Sequence, residues 1–167
     1  MLVLGIDPGT AITGYGLLEI KRIPQVIKYG CIRTSAHNQM SNRLRIIYEG
    51  IINIIKEYHP EEVAIEDIFF NKNSKTVLSI GQARGVIILA ASYKGAKIFS
   101  YTPLEIKQAV TDNGRAGKSQ VQFMIKKLLC LHQIPHPDDA ADALAVALCH
   151  CYSRKIKKYE ENFLPNN

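Results

Sequence analysis

The amino terminus carries a short apolar segment, Leu2-Val-Leu-Gly-Ile, that runs directly into Asp7-Pro-Gly. A short apolar run closed by Pro-Gly is typical of a buried strand and is too short for a lone helix. The predicted strand therefore ends on a carboxylate, which is costly to bury unless a cation or hydrogen-bond donors meet it. Asp7 either forms an Asx turn with the Pro-Gly pair or is a metal ligand at the rim of a sheet. Taken alone, the segment favours the turn.

The composition indicates a folded, basic protein. The 167 residues suit one domain, and the net charge of +6 favours a nucleic-acid partner over an anionic membrane. We identify no apolar run near the ~20 residues that cross a bilayer and no signal peptide, so we expect a cytoplasmic protein without a membrane partner. The four cysteines include no CxxC pair, so we expect buried reduced thiols and no zinc site.

Hydrophobic periodicity predicts an α/β fold. Apolar runs over 2–6, 13–20 and 26–33 are joined by short connections, so these strands should pair antiparallel. Further elements then alternate: helix 41–58, strand 62–65, helix 74–94, strand 96–101, and helices 103–110, 119–130 and 138–153. We predict a mixed sheet, three antiparallel strands followed by parallel ones, with helices packed on it. The domain should span 1–153, followed by a frayed basic tail over 154–167.

Acidic residues occupy informative positions in this plan. Asp7 and Glu66 each end a strand, and parallel neighbours would place them side by side at one sheet edge. Asp139 and Asp142 share a helix face, and Asp138 can join it. A favourable interaction with the helix dipole would also explain these acids. However, the Ala-Leu-Ala-Val-Ala-Leu run after Asp142 predicts a buried helix, and no basic residue matches these positions, so divalent cations such as magnesium or manganese would neutralise them.

Several motifs occur together in a specific order. They are Gly5-Ile-Asp7-Pro-Gly-Thr10, Ile65-Glu66, Asn73-Ser74 ahead of Gly81-Gln-Ala-Arg-Gly85, Thr102-Pro103 with Lys107, and Asp139-Ala-Ala-Asp142-Ala-Leu-Ala. As a set, over nearly the whole chain to about residue 153, they resemble the bacterial RuvC family of Holliday-junction resolvases. The resemblance implies a ribonuclease-H-like fold and a homodimer that cuts four-way DNA junctions by symmetric paired nicks. It also implies Mg²⁺ as the cofactor and a branch-migration helicase complex. We expect two ions per site, with Mn²⁺ as a substitute.

The resemblance also assigns roles to individual residues. Asp7, Glu66, Asp139 and Asp142 match the metal-binding carboxylates, Lys107 and Lys118 match basic residues near the scissile phosphates, and Phe69 matches an aromatic that stacks at the junction. Two assignments stay open: whether Asp138 or Asp139 is the metal ligand, and whether Phe69 or Phe70 stacks at the junction. Lys72 and Arg115 lie in or beside loops near the predicted site and are further candidates for DNA contact.

Charge supports a two-metal mechanism. Four carboxylates total −4 and two divalent cations total +4, so the filled site is near neutral before the phosphate arrives. In-line hydrolysis at such a site leaves 5′-phosphate and 3′-hydroxyl ends. Lys118, which follows a glycine-containing loop, can add positive charge to the transition state, or it is an ordinary exposed lysine.

The long helix over 74–94 bears on assembly. Gly81 and Gly85 each cost roughly 1 kcal/mol within a helix, so close packing against another element should compensate. Symmetric cutting of a two-fold junction also needs two sites. We therefore expect a homodimer built partly on this helix.

Three other functional classes fit parts of the sequence. The Asp7-Pro-Gly-Thr segment also resembles the first phosphate loop of actin-like sugar kinases and chaperone ATPases, but 167 residues leave no room for their second half. A ribonuclease-H-like enzyme that processes RNA is a second alternative, although the basic loops and Phe69 favour DNA junctions. A junction-binding protein without catalysis is the third, and the intact set of acids argues against it.

Overall fold

A computed structural model of the chain describes residues 1–68, 74–93 and 95–163, with the backbone alone over 74–75 and 155–163. Its five strands form one sheet in the order β3-β2-β1-β4-β5. They are β1 (Leu2–Asp7), β2 (Ile12–Glu19), β3 (Gln25–Arg33), β4 (Glu62–Glu66) and β5 (Lys97–Tyr101). The first three pair antiparallel, whereas β4 runs parallel to both β1 and β5. The predicted mixed sheet is confirmed.

In the described part of the chain, five helices cover the two faces of this sheet. They are α1 (Met40–Tyr58), α2 (Ser74–Tyr93), α3 (Pro103–Thr111), α4 (Lys118–Leu128) and α5 (Asp138–Phe163). Alternation along β1 divides the core, because Val3 faces one cluster and Leu4 and Ile6 face the other. The first cluster joins the sheet to α3, α4 and α5, and the second joins it to α1 and α2.

Glycines in the sheet allow α5 to lie unusually close to it. A Cβ atom on Gly5 would collide with the carbonyl oxygen of Ala143, and one on Gly14 would collide with that of Asp139. The facing side of α5 is built largely of buried alanines, which brings helix and strand backbones together. The glycine positions therefore set where the acidic start of α5 lies relative to the end of β1.

The last helix is longer than predicted. The expected end near Ser153 is wrong, because α5 continues through Phe163. Residues 154–163, predicted as a frayed tail, are helical instead. The charged residues of this stretch have high helix propensity even though they lack an apolar periodicity.

A buried polar network anchors α5 at its middle. His150 is 1% exposed, and its Nε2 donates to Glu62 Oε2 at 2.7 Å while its Nδ1 lies 2.8 Å from the Tyr101 hydroxyl. Arg154 also donates to Glu62, from Nε at 3.0 Å. Burial acts to raise the pKa of Glu62, but these hydrogen bonds outweigh it and hold the pKa below its usual value. The sequence pattern did not reveal this network.

One side of α2 is apolar and exposed. Leu78 and Leu89 are 67% and 59% exposed, and a Cβ atom on Gly85 would meet nothing within 4 Å. The stretch Thr76–Tyr93 is long and apolar enough to cross a membrane, with 22% of it buried. The expectation of no such run was therefore wrong, because Ser79, Gln82 and Arg84 interrupt the apolar run although the mean hydropathy of the helix stays high. Within the described chain, Gly85 packs against nothing.

The cysteines correct a smaller expectation. Cys149 and Cys151 are buried, as predicted for reduced thiols, but Cys31 is half-buried and Cys130 is exposed. Cys130 follows the end of α4 with a left-handed backbone (φ 52°), which turns it away from the core.

Candidate active site

Two carboxyl groups meet where β1 and β4 end. Ile6 pairs with Ile65 in the parallel register, so Asp7 and Glu66 emerge side by side at the carboxyl edge of the sheet. Both side chains are half-buried, and they lie close enough that each affects the pKa of the other. The strand-end rule thus located this pair correctly.

Both groups hold protons far more tightly than exposed acids do. Burial, and then the charges of Asp142 and Asp139, raise the pKa of Asp7 to about 7. Burial, and then the charges of Asp7 and Asp142, raise the pKa of Glu66 to about 8. Near neutral pH the metal-free chain therefore carries a partly protonated acidic cluster.

The start of α5 supplies the other two acids. Asp142 is half-buried, and burial raises its pKa despite the nearby Lys118. The charge of Asp139 acts on both Asp7 and Asp142, whereas Asp138 is exposed and contacts Lys118. Asp139 is therefore the member of the doublet that faces Asp7.

Lys118 lies against this acidic cluster from α4. Its Nζ is 3.1 Å from Asp142 Oδ2 and 3.3 Å from Asp138 Oδ2. Burial acts to lower its pKa, but its hydrogen bonds to Asp142 and Asp138 raise the pKa above the usual value. The expectation that no basic residue matches the acids is wrong at Asp142, because the contact joins two helices whose pairing the sequence pattern does not show.

A cleft of about 240 Å³ opens beside the cluster. Its lining includes Glu66, Lys107, Lys118 and Asp142. Lys107 is half-buried on α3, which begins with the predicted Thr102-Pro103 signal: Thr102 and Glu105 form a capping box. The cap fixes the first turn of α3 and so places Lys107 over the cleft.

The remaining predicted site residues are Arg115, Phe69, Phe70 and Lys72. Arg115 is exposed in the loop before α4, where its backbone N–H donates to Asn113 Oδ1. Phe69, Phe70 and Lys72 lie outside the described residues. Two neighbours were missed from sequence: Asp67, directly after Glu66, and Arg84, which pairs with it. Arg84 stands within the Gly81–Gly85 motif, which was the available signal.

The donor set fits hard divalent cations. The cluster offers half-buried carboxylate oxygens alone, which are the ligands that magnesium and manganese prefer. It is not a ready-made cage, because no three acidic, His or Cys side chains among the described residues meet at coordinating distance. Asp7, Glu66, Asp139 and Asp142 are the residues that would hold the cations.

Known proteins match this chain over most of its length. The family model for crossover junction endodeoxyribonuclease RuvC matches residues 3–150. The chain belongs to the RuvC family. The enzyme of that name from Clostridioides difficile is 50% identical over 163 residues, 97% of this chain and 96% of the relative. The one from Moorella thermoacetica is 57% identical over 151 residues, 90% of each chain.

A solved structure matches over a similar share of the chain. Thermus thermophilus RuvC, in complex with Holliday junction substrate, superposes with a TM-score of 0.90 at 31% identity. The match covers 94% of this chain and 96% of the Thermus thermophilus chain. The fold predicted from the sequence and the family suggested by its motifs are confirmed. So is the enzyme class, because RuvC proteins are metal-dependent endonucleases.

The raised pKa values predict how pH affects the metal-free chain. Between about pH 4.5 and 8, the folded state binds protons at Asp7 and Glu66 that the unfolded state has released. Stability should therefore fall as pH rises through this window, by at most about 1.4 kcal/mol per pH unit and group. Asp7→Asn should flatten this slope, raise metal-free stability at pH 8 and shrink the gain in Tm from magnesium.

Urea unfolding with chelator at pH 5 and pH 8 measures this effect. Asp112→Asn is the matched control, because Asp112 is an exposed acid on α3's carboxyl end, away from the cluster. If the stability of Asp7→Asn depended on pH as steeply as that of wild type, the placement of Asp7 in the acidic cluster would be contradicted.

Proposed function

We propose that this protein resolves four-way DNA junctions as a metal-dependent endodeoxyribonuclease. It nicks two strands symmetrically and leaves 5′-phosphate and 3′-hydroxyl ends. The supporting observation is one open cleft where half-buried carboxylates of raised pKa face two lysines. Acids that hold cations and bases that meet phosphate are the two requirements of phosphodiester hydrolysis.

Each side chain has a defined task in this proposal. Asp7, Glu66, Asp139 and Asp142 hold two divalent cations, magnesium with manganese as a substitute. When bound, these cations activate water for in-line attack and stabilise the leaving 3′ oxygen. Lys118, whose Nζ contacts Asp142, would supply positive charge to the scissile phosphate. Lys107, over the same cleft, orients the strand.

Junction DNA is the proposed substrate. The net charge of +6 suits a polyanion, and the Thermus thermophilus relative is described with Holliday junction substrate. We assign backbone contacts to Lys72 and Arg115 because the sequence predicts both in or beside loops near the site. We assign base stacking to Phe69, as the family resemblance implies. Phosphate contacts of this kind provide most of the affinity without reading sequence. A branch-migration helicase complex is proposed on family resemblance.

The exposed face of α2 supports a homodimer. Leu78, Gln82, Gly85, Leu89 and Tyr93 recur at helical spacing and are all exposed. Apart from Gln82 this stripe is apolar, and the glycine at its centre allows two helices to approach closely. A two-fold dimer presents two sites to a two-fold junction. The opposite side of α2 is buried, with Ala83 and Ile87 in the core, so the exposed stripe is the surface available to a second copy.

A substrate panel tests the function directly. Labelled four-way junction, duplex of the same sequence and structured RNA are offered with Mg²⁺, Mn²⁺ or chelator. We expect paired nicks in the junction, ligatable ends and no cleavage with chelator or in Asp7→Asn. Equal cleavage of duplex, or preferential cleavage of RNA, would overturn the assignment in favour of another nuclease activity.

The lysine contacts predict a change in salt dependence. Lys118→Ala should slow junction cleavage at least tenfold, and loss of one phosphate contact should flatten the slope of log K against log salt by roughly 0.9. Lys21→Ala is the control, because Lys21 is exposed and pairs with Glu19 far from the cleft. Cleavage and salt slope that match the control would identify Lys118 as an ordinary surface lysine.

The dimer face predicts a monomeric variant. Leu89→Glu places a charge within the apolar stripe and should convert a dimer to a monomer at micromolar concentration, as measured by light scattering. Ile23→Glu alters a residue of similar exposure, 57%, in the β2–β3 connection and should leave the dimer intact. A monomeric wild-type protein, unchanged by junction DNA, would contradict the prediction.

A further inference from the structure

Arg84 reaches from α2 to the edge of the sheet beside the acidic cluster. Its Nη2 lies 2.5 Å from Asp67 Oδ1 and donates to Ser100 Oγ at 2.7 Å. The guanidinium therefore joins the residue that follows β4 to a residue of β5. Its side chain is 22% exposed, so solvent weakens this ion pair less than an open surface pair.

The Asp67 contact bears on Glu66 through the backbone. Asp67 is the next residue after Glu66, and its N–H donates to the carbonyl of Tyr101 at 2.8 Å. Tyr101 is in turn the parallel partner of Glu66. Asp67 is thus held by its backbone to β5 and by its side chain to α2, which leaves Glu66 little freedom at the end of its strand.

We propose that Arg84 is a positioning residue for the acidic cluster. Through Asp67 it fixes the end of β4 and so the direction in which the Glu66 carboxylate points toward the cations. The inference rests on the proposed metal-dependent function, and it assigns no contact between Arg84 and metal or DNA. Asp67 lines a second cleft, which shares Glu66 with the first and also includes Asp7, so the Arg84–Asp67 ion pair lies at the wall of the site.

Charge and position predict opposite effects here, which makes the inference testable. If Arg84 acted only through its positive charge, its removal would strengthen cation binding, because the site would become more negative. If Arg84 positions Glu66, its removal weakens cation binding despite the more negative site. The sign of the change therefore decides between the two roles.

The experiment titrates Mg²⁺ against the melting temperature of Arg84→Met, without DNA. We expect the magnesium concentration at half-maximal shift to rise at least fivefold, and the concentration needed for junction cleavage to rise in parallel. Dimer state and junction affinity in chelator should stay within twofold of wild type. Arg84→Gln keeps an N–H donor group, so its magnesium midpoint should lie between those of wild type and Arg84→Met. This variant decides the question if Arg84→Met does not fold.

The matched control is Arg154→Met. Arg154 pairs with Glu62, at the opposite end of β4 from Glu66, so its loss should lower the melting temperature without changing the magnesium midpoint. A midpoint for the Arg84 variants that equals or falls below wild type would overturn the inference. A wild-type protein that shows no magnesium-induced shift would instead overturn the proposed metal site, so the two failures are distinguishable.

Discussion

The close approach of α5 to β1 and β2 is the constraint on which the site depends. Gly5 and Gly14 leave no side chain between sheet and helix, so the carbonyl groups of Ala143 and Asp139 lie where Cβ atoms would otherwise be. The same seating brings the first turns of α5 to the end of β1, where Asp7 emerges. Any larger residue at either glycine would push the helix outward and separate its two acids from the two on the strands.

The electrostatics of the site follow from that geometry. Four carboxylates held in a half-buried position repel one another, and the metal-free chain relieves this by retaining protons on Asp7 and Glu66 and by drawing Lys118 against Asp142. Asp7, Glu66 and Asp142 would hold a divalent cation only as carboxylates, so the protons retained on the first two and the Lys118 contact of the third would oppose cation binding.

The features that could be predicted from the sequence are those that depend on local patterns along the chain. An apolar run that ends on an acid identified Asp7 and Glu66, and parallel pairing was sufficient to place them together. Contacts between side chains remote in sequence were not predictable, because periodicity carries no information about them: Glu62 and His150 are 88 residues apart. The Lys118–Asp142 and Arg84–Asp67 ion pairs were not predicted from the sequence for the same reason. The length of α5 was missed because helix propensity, not amphipathic pattern, extends it.

The buried His150–Glu62–Tyr101 network has a consequence for how the molecule opens. It joins the middle of α5 to β4 and β5 two turns beyond Asp142, while the glycine contacts join its beginning to β1 and β2. A helix attached at two points to four strands cannot detach in part without breaking buried contacts at both. We therefore expect this part of α5 and the sheet to unfold as one cooperative unit, so that amide exchange around Asp142 should report global unfolding rather than local fluctuation.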